Sequence, residues 1–131
     1  MNYEEAVAYI EDIPRFTTKN SLDHTRECLK RLGDPQRKFR VIHVAGTNGK
    51  GSTCAFLTSV LREAGYSCGL FTSPHLVEIN ERFQINEVNI DNDTFLKAFE
   101  KVKVLADELV AEGSYHPTYF EMLFLMGMVI F

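Results

Sequence analysis

The segment Val41–Ser52 constrains the fold of this chain more than any other. Residues 41–45 are apolar at nearly every position, which is typical of a strand covered on both faces in a parallel sheet. Three glycines follow at 46, 49 and 51, and they lack the Cβ atoms that keep backbone N–H groups away from a phosphate. A helix that begins here adds the positive end of its dipole, and Lys50 adds a point charge. The segment therefore predicts a strand, a cradle for nucleotide phosphates and a helix in succession.

The residues after this loop complete a strand–helix–strand unit. One side of the predicted helix is apolar, Gly65 ends the helix, and Ser67–Phe71 reads as a second short strand. The apolar side consists of Phe56, Leu57, Val60, Leu61 and Ala64. Two strands joined in this way lie parallel with a right-handed crossover. We therefore expect an α/β fold in which a P-loop-type parallel sheet is flanked by helices.

Residues 1–40 are predicted to form a helical lead-in to this unit. Apolar residues at helical spacing indicate one helix over residues 3–11 and a second over residues 22–32. Asn20 or Ser21 can cap the second helix, since both side chains accept hydrogen bonds from first-turn N–H groups.

Residues 82–131 are predicted to form a hairpin and two helices. The hairpin has its turn at Asn86-Glu87, and the first helix ends at Gly113. The last helix begins at Thr118 with a Thr-x-x-Glu capping box and continues without a polar face. A helix this apolar needs a partner surface, so we expect the protein to continue beyond residue 131. An exposed helix of this kind would also let copies of the chain associate.

Composition limits the functional classes open to the chain. At 131 residues, with 24% charged and 45% hydrophobic residues, it has the makeup of one soluble globular domain. The net charge of -4 leaves no basic stripe for a nucleic-acid partner. Cys28, Cys54 and Cys68 show no metal-binding spacing, which favours free thiols in a reducing compartment. Without a signal sequence or a membrane-spanning apolar run, we expect a cytoplasmic protein with no membrane partner.

The loop departs from the strict P-loop pattern, in which a glycine, four residues, a glycine and a lysine precede a serine or threonine. With Gly49-Lys50 as the anchor, Val44 stands at the first glycine and Gly51 at the hydroxyl position. Ser52 offers a hydroxyl one residue later. A glycine-rich turn whose lysine is merely exposed therefore stays open as the simpler interpretation.

Three motifs in order resemble those of a known family. His43–Ser52 is similar to the phosphate loop of folylpolyglutamate synthase and dihydrofolate synthase, which are Mur-ligase-type ATP-dependent amide ligases. Thr72–Leu76 with Asn80–Arg82 resembles the second signature of these enzymes, and Thr118–Glu121 resembles the third. Glycine at the Gly51 position is usual in the folate branch. The resemblance implies that residues 1–131 form a partial N-terminal ATP-binding domain, with the C-terminal glutamate-binding domain absent.

The resemblance implies a ligase reaction that uses ATP and Mg²⁺. ATP would phosphorylate the carboxylate of dihydropteroate or a reduced folate, and the amine of L-glutamate would then displace phosphate. This chemistry needs positioning and charge neutralisation more than a side-chain nucleophile. The later metal ligands and the glutamate site of the family lie outside this chain, so we expect the chain alone to be inactive.

The same resemblance implies roles for individual residues. Lys50 would neutralise charge during phosphoryl transfer, and Ser73 would bind the metal through its hydroxyl. His75 would touch substrate or simply pack within its loop. The phosphate-binding residues would be Asn48, Gly49, Lys50, Gly51 and Ser52. The substrate-binding residues beside the pterin would be Thr118, Tyr119, Phe120 and Glu121.

Several of these residues also have a purely structural interpretation. The capping box by itself explains Glu121, and a Ser-Pro turn explains Ser73. Phe16 is expected to pack, and His43 is expected to be a hydrogen-bonded core residue. His24 and His116 carry no signal above that of surface histidines.

Two alternatives to a folate ligase remain. One is another Mur-type ligase that joins an amino acid to a cell-wall precursor, and the other is a non-catalytic ATP-binding module. Within the folate branch, the sequence leaves dihydrofolate synthase, folylpolyglutamate synthase and a bifunctional enzyme equally open.

Overall fold

A computed structural model provides the structure of the chain and describes residues 1–15 and 17–131. The prediction for Phe16 lies outside the described residues. The helices are α1 (Tyr3–Asp12), α2 (Leu22–Arg31), α3 (Lys50–Glu63), α4 (Asn92–Ala111) and α5 (Tyr119–Ile130). The strands are β1 (Gly69–Phe71), β2 (Phe83–Ile85) and β3 (Val88–Asn89), and short 3₁₀ turns cover Ile13–Arg15, Pro35–Lys38 and Ile79–Arg82.

The chain divides into two units, which are described separately. The helical unit comprises Met1–Arg40 and Asn92–Ile130, and the loop–sheet unit comprises Val41–Asp91 and Phe131. No helix of the described residues combines the length and the hydropathy that crossing a bilayer requires.

The helical unit is built from α1, α2, α4 and α5, close to the predicted positions. Asn2 and Glu5 form a reciprocal capping box at α1, and the Ser21 hydroxyl caps α2 by accepting from the His24 N–H. Ser21 is therefore the cap of the two that were predicted. The core of this unit includes the fully buried residues Ile10, Ile13, Phe95, Phe99, Val102, Met122, Leu123, Leu125 and Met126. Burying each such side chain contributes about 1.5–3 kcal/mol.

Helix α5 is covered within the helical unit, which corrects the expectation of an exposed apolar helix. It packs against α1, α2 and α4, and Leu123 and Met126 are fully buried. Phe120, at its first turn, is 53% exposed. The apolar sequence of α5 thus reflects burial on most of its surface by neighbouring helices. The prediction that copies of the chain associate rested on an exposed α5, and that premise is wrong.

The loop–sheet unit contains one antiparallel sheet of order β1-β2-β3. Phe71 of β1 pairs with Phe83 of β2, and Ile85 of β2 pairs with Val88 of β3. Asn86 and Glu87 connect β2 and β3 with φ values of 52° and 69°. Positive φ at both central residues is the requirement of a type I′ turn, so the predicted hairpin is confirmed.

The predicted strand over residues 41–45 is not present among the described residues. Val41 and Ile42 are more than 60% exposed, and His43 is exposed as well, so His43 is not a core residue. A strand exists only where a neighbour accepts and donates its backbone hydrogen bonds, and β1 pairs with β2 instead. The fold is therefore mixed α/β, as predicted, with an antiparallel sheet and no parallel pairing in the part the structure describes.

Helix α3 forms as predicted, but its apolar side is not buried. Phe56 is 73% exposed and Val60 is 64% exposed, whereas Thr58 is buried. The amphipathic pattern correctly predicted a helix but wrongly predicted that its apolar side is buried. Hydrophobic periodicity identifies the apolar side of a helix, and it does not identify the surface that packs against that side.

Candidate functional site

The glycine loop turns directly into the N-terminus of α3. Gly46 and Gly49 have φ values of 149° and 77°, and Gly49 is the residue that precedes the first helical position. No side chain caps this helix end. The first N–H groups of a helix have no partner within the helix, so those at the start of α3 are available for an anion. Gly49, Lys50 and Gly51 thus lie at a helix start that has no side-chain cap.

The loop surface is open enough for a phosphate group. Asn48 to Ser52 are all exposed, and a Cβ atom built on Gly46, Gly49 or Gly51 would meet nothing within 4 Å. Lys50 folds back over the loop, and its ammonium group donates to the Gly46 carbonyl oxygen. The positive charge therefore lies over the same loop whose N–H groups point outward from the helix.

Ser73 and His75 lie in the segment that follows β1. The later part of the second signature, Asn80–Arg82, holds this segment. Ser73 is exposed and precedes a cis Ser73–Pro74 bond. The Arg82 guanidinium donates from Nε to His75 Nδ1 at 2.8 Å, so His75 carries its hydrogen on Nε2. Arg82 is only 7% exposed, so the donor that orients the imidazole ring of His75 is itself buried.

Glu81 fixes the backbone of the same segment. Its carboxylate accepts from the N–H groups of Leu76, Val77 and Glu78 at 2.9, 2.9 and 2.7 Å. These bonds, with that from Glu78 strongest, lower the pKa of the Glu81 carboxyl. The second signature thus contains two residues, Glu81 and Arg82, whose contacts in this structure position the loop that carries Ser73 and His75.

In the helical unit, Glu121 joins three parts of the chain. The predicted capping box is present, since the Thr118 N–H donates to Oε1 and the Glu121 N–H donates to the Thr118 hydroxyl, both at 3.2 Å. Asn20 also donates to Oε1 at 2.7 Å. Oε2 accepts from the Thr25 hydroxyl at 2.8 Å and contacts His24 Nδ1 at 3.0 Å. The carboxylate therefore does far more than cap its own helix.

Each ring nitrogen of His24 faces an oxygen acceptor. His24 Nε2 lies 2.7 Å from the Tyr115 carbonyl oxygen, and Nδ1 lies 3.0 Å from the Glu121 carboxylate. Burial raises the pKa of Glu121, but the hydrogen bonds from side chains and the backbone outweigh burial and lower it.

The prediction that His24 is an ordinary surface histidine is wrong. Its side chain is only 9% exposed, and its neighbour one turn later, Cys28, is fully buried. Burial, and next the charge of Glu121, raise the pKa of the Cys28 thiol to about 12. A polar residue paired with a residue 97 positions away has no local sequence signal, although the His24-x-x-x-Cys28 spacing does place both on one face of α2.

The candidate site residues thus fall into two groups. The loop–sheet unit holds the glycine loop, Ser73 and His75, and the helical unit holds Thr118–Glu121. Tyr119 is partly exposed, and Phe120 is exposed at the start of α5. His116, also taken for a surface histidine, is half-buried, and its Nε2 lies 2.7 Å from the Tyr9 hydroxyl.

In this α/β chain a glycine loop leads into a helix N-terminus without a side-chain cap, which is the local geometry of anion-binding loops. No family model matches it. The dihydrofolate synthase/folylpolyglutamate synthase of Bacillus subtilis is 39% identical over 121 residues, which cover 92% of this chain and 28% of that protein. The chain therefore spans less than a third of the length of this curated relative.

Solved structures agree with the sequence comparison. The folylpolyglutamate synthetase from Lactobacillus casei matches with a TM-score of 0.89 at 34% identity, covering 98% of this chain and 32% of that one. A folylpolyglutamate synthase complex with AMPPCP and folate matches with a TM-score of 0.89 at 35% identity over the same shares of the two chains. The chain belongs to the folylpolyglutamate synthase/dihydrofolate synthase family of Mur-type ligases.

Proposed function

We propose that the full-length enzyme ligates L-glutamate to the carboxylate of a pteroate or folate through an acyl phosphate, at the expense of ATP. The observation that carries this proposal is the glycine loop at the uncapped start of α3. It supports binding of a nucleotide's phosphates, and family membership supports the identity of the substrates. Within this chain, we propose roles in binding and positioning only.

The phosphate groups would lie against Asn48–Ser52. The N–H groups at the start of α3 donate to phosphate oxygens without prior loss of a protein partner, since no side chain caps them. The Lys50 ammonium is already held over the loop by Gly46 and can exchange that carbonyl for a phosphate oxygen. Such preorganised charge stabilises a phosphoryl group during transfer.

Magnesium fits the hydroxyl donor that Ser73 offers. Mg²⁺ prefers oxygen ligands and keeps several waters, so one hydroxyl from the exposed Ser73 is a suitable protein ligand. When bound, the ion would neutralise charge on the transferring phosphates. The Glu81 and Arg82 contacts keep the segment that carries Ser73 and His75 in one conformation.

Substrate contacts are proposed for Thr118–Glu121 in the helical unit and, separately, for His75 in the loop–sheet unit. Phe120 offers an exposed ring at the start of α5, and stacking on such a ring suits a flat heterocycle. Glu121 has its carboxylate fixed by four donors, so any contact it makes with a ligand would need no further ordering. The remaining substrates of the proposed reaction would be L-glutamate and ATP.

Calorimetry of Mg²⁺·AMPPCP binding tests the loop. Lys50→Ala should weaken binding about tenfold or more, because it removes the point charge over the phosphates. Lys38→Ala, at another exposed lysine, is the control and should leave affinity unchanged. Equal affinity of the Lys50→Ala variant and the wild type would contradict the proposal.

ATP turnover by the full-length enzyme tests the reaction. We expect phosphate release that requires L-glutamate together with dihydropteroate or a reduced folate. Turnover with a UDP-sugar acid and an amino acid would instead indicate a cell-wall ligase. ATP binding without turnover on any carboxylate would indicate a non-catalytic module.

A further inference from the structure

His24, Cys28 and Glu121 bring three different metal-ligating groups together inside the helical unit. Nδ1 of His24, Sγ of Cys28 and a carboxylate oxygen of Glu121 all lie within 4.8 Å of one another. The Nδ1–Oε2 distance is 3.0 Å and the Sγ–Nδ1 distance is 3.9 Å. From these contacts we propose that the three side chains form a binding site for a zinc-like transition-metal ion.

The distances suit a tetrahedral ion with small side-chain adjustments. Zinc bonds of about 2.3 Å to sulfur and about 2.0–2.2 Å to nitrogen or oxygen place neighbouring ligand atoms about 3.4–3.6 Å apart. The observed separations of 3.0 and 3.9 Å lie on either side of that value. A mixed sulfur, nitrogen and oxygen donor set favours zinc or cobalt over magnesium, so this site is distinct from the one proposed at Ser73.

The backbone of the two helices already holds the ligands in place. His24 and Cys28 are four residues apart on α2, so they project from the same face. Glu121 is in the first turn of α5, which packs against α2. Metal binding would therefore join two helices that are in contact without it.

The groups behind the ligands are those that metal sites require. A metal-ligating histidine usually donates its other ring N–H to a fixed acceptor, and His24 Nε2 lies 2.7 Å from the Tyr115 carbonyl oxygen. Thr25 donates to Glu121 Oε2 and Asn20 donates to Oε1, so the carboxylate stays oriented when an ion replaces the His24 proton. Both donors can remain, because each oxygen has two lone pairs.

Proton balance is satisfied by exchange. Binding of one divalent ion forms bonds to Nδ1, Sγ and Oε2, and the proton of the Cys28 thiol, with any proton on Nδ1, passes to solvent. The side chains of His24 and Glu121 retain 9% and 13% exposure, so the three ligands are not fully enclosed.

Titration with Co²⁺ after removal of metal with a chelator tests the site, because a cobalt–thiolate bond gives a charge-transfer band in the near ultraviolet. We expect the band to saturate at one ion per chain, with release of the Cys28 thiol proton, and Zn²⁺ to abolish it. Cys28→Ser should lose the band. The double variant Cys54→Ser/Cys68→Ser, which removes the two more exposed thiols, should keep it.

Three results would overturn the proposal: no band in the wild type, a band that persists in Cys28→Ser, or loss of the band in the Cys54/Cys68 double variant. Circular dichroism checks that each variant folds. If Cys28→Ser fails to fold, His24→Gln decides, since it should weaken cobalt binding at least tenfold while the thiol remains. These outcomes do not depend on nucleotide binding, so they are separate from the proposed ligase activity.

Discussion

At the scale of single residues, Glu121 shows how a local role can conceal a long-range one. The Thr-x-x-Glu pattern predicted its bond to the Thr118 N–H, and that bond is present. The same carboxylate also accepts from Asn20, Thr25 and His24, about 100 positions earlier in the chain. Side chains of α2 and α5 are therefore coupled through one partly buried carboxylate.

The low pKa of Glu121 makes stability depend on pH. The folded chain favours the ionised carboxylate, so the pKa of Glu121 is lower in the folded chain than in the unfolded chain. The unfolded chain therefore binds more protons than the folded chain as pH falls through the usual glutamate range of ~4.3. The contribution of Glu121 is therefore present at neutral pH and is lost as pH falls below that range. Urea unfolding of the wild type with EDTA present should show this loss.

The variant Glu121→Gln isolates the contribution of the charge. At pH 7 it should lower the free energy of unfolding by about 1–3 kcal/mol, because the donors that face the carboxylate lose a charged acceptor. The difference from the wild type should shrink as pH falls. Glu108→Gln, at an exposed position of α4, is the matched control and should stay within about 0.5 kcal/mol. A pH-independent difference for Glu121→Gln would argue against the ionic contact.

Cys28 should be the least reactive thiol of the native chain. Burial raises its pKa to about 12, so the nucleophilic thiolate is scarce at neutral pH, and the side chain is fully buried. Alkylation followed by peptide mass spectrometry should show modification of Cys54 and Cys68 well before Cys28. In about 8 M urea, where the chain is unfolded, the three alkylation rates should become similar. Equal rates in the native chain would refute the burial argument.

At the scale of elements, the loop before α3 depends on glycine at one position more than at another. Gly49 has φ of 77°, where an alanine costs about 1–2 kcal/mol, whereas Gly51 is a helical residue with open space around it. Gly49→Ala should therefore destabilise the chain. Gly51→Ala should be neutral or stabilise it by up to about 1 kcal/mol. Paired urea titrations measure the contrast, and a shift of both variants in the same direction would contradict it.

The element scale also shows the limit of hydrophobic periodicity. In α4 the apolar stripe that includes Phe95, Phe99 and Val102 is buried, as the pattern indicates, but in α3 Phe56 and Val60 are exposed. Periodicity specifies which face of a helix is apolar. Which neighbour covers that face depends on residues far away in sequence.

At the scale of the whole molecule, the two units differ in how much apolar surface each buries. Most fully buried large side chains belong to the helical unit, whereas α3 of the loop–sheet unit has Thr58 as its buried residue. Amides of α3 should therefore exchange with deuterium at least about tenfold faster than those of α4, after correction for intrinsic rates. Mass spectrometry of the peptides from each helix measures this, and equal protection would show that local burial does not set the opening free energy.

The sequence by itself determined the elements whose signals are local. Capping residues located the starts of α2 and α5, and Asn86-Glu87 specified the hairpin turn, because these features depend on hydrogen bonds and φ values within a few residues. Three short motifs, resembling one family, also predicted the membership that the comparisons establish.

The tertiary structure alone decided what depends on distant partners. Residues 41–45 resemble a buried strand but have no neighbouring strand among the described residues, and a strand cannot satisfy its backbone without one. The contact of His24 with Glu121 likewise joins residues 97 positions apart, and nothing in the sequence between them specifies it. Helix caps and tight turns are specified within a few residues. Burial by distant elements and long-range side-chain contacts arise only when the chain has folded.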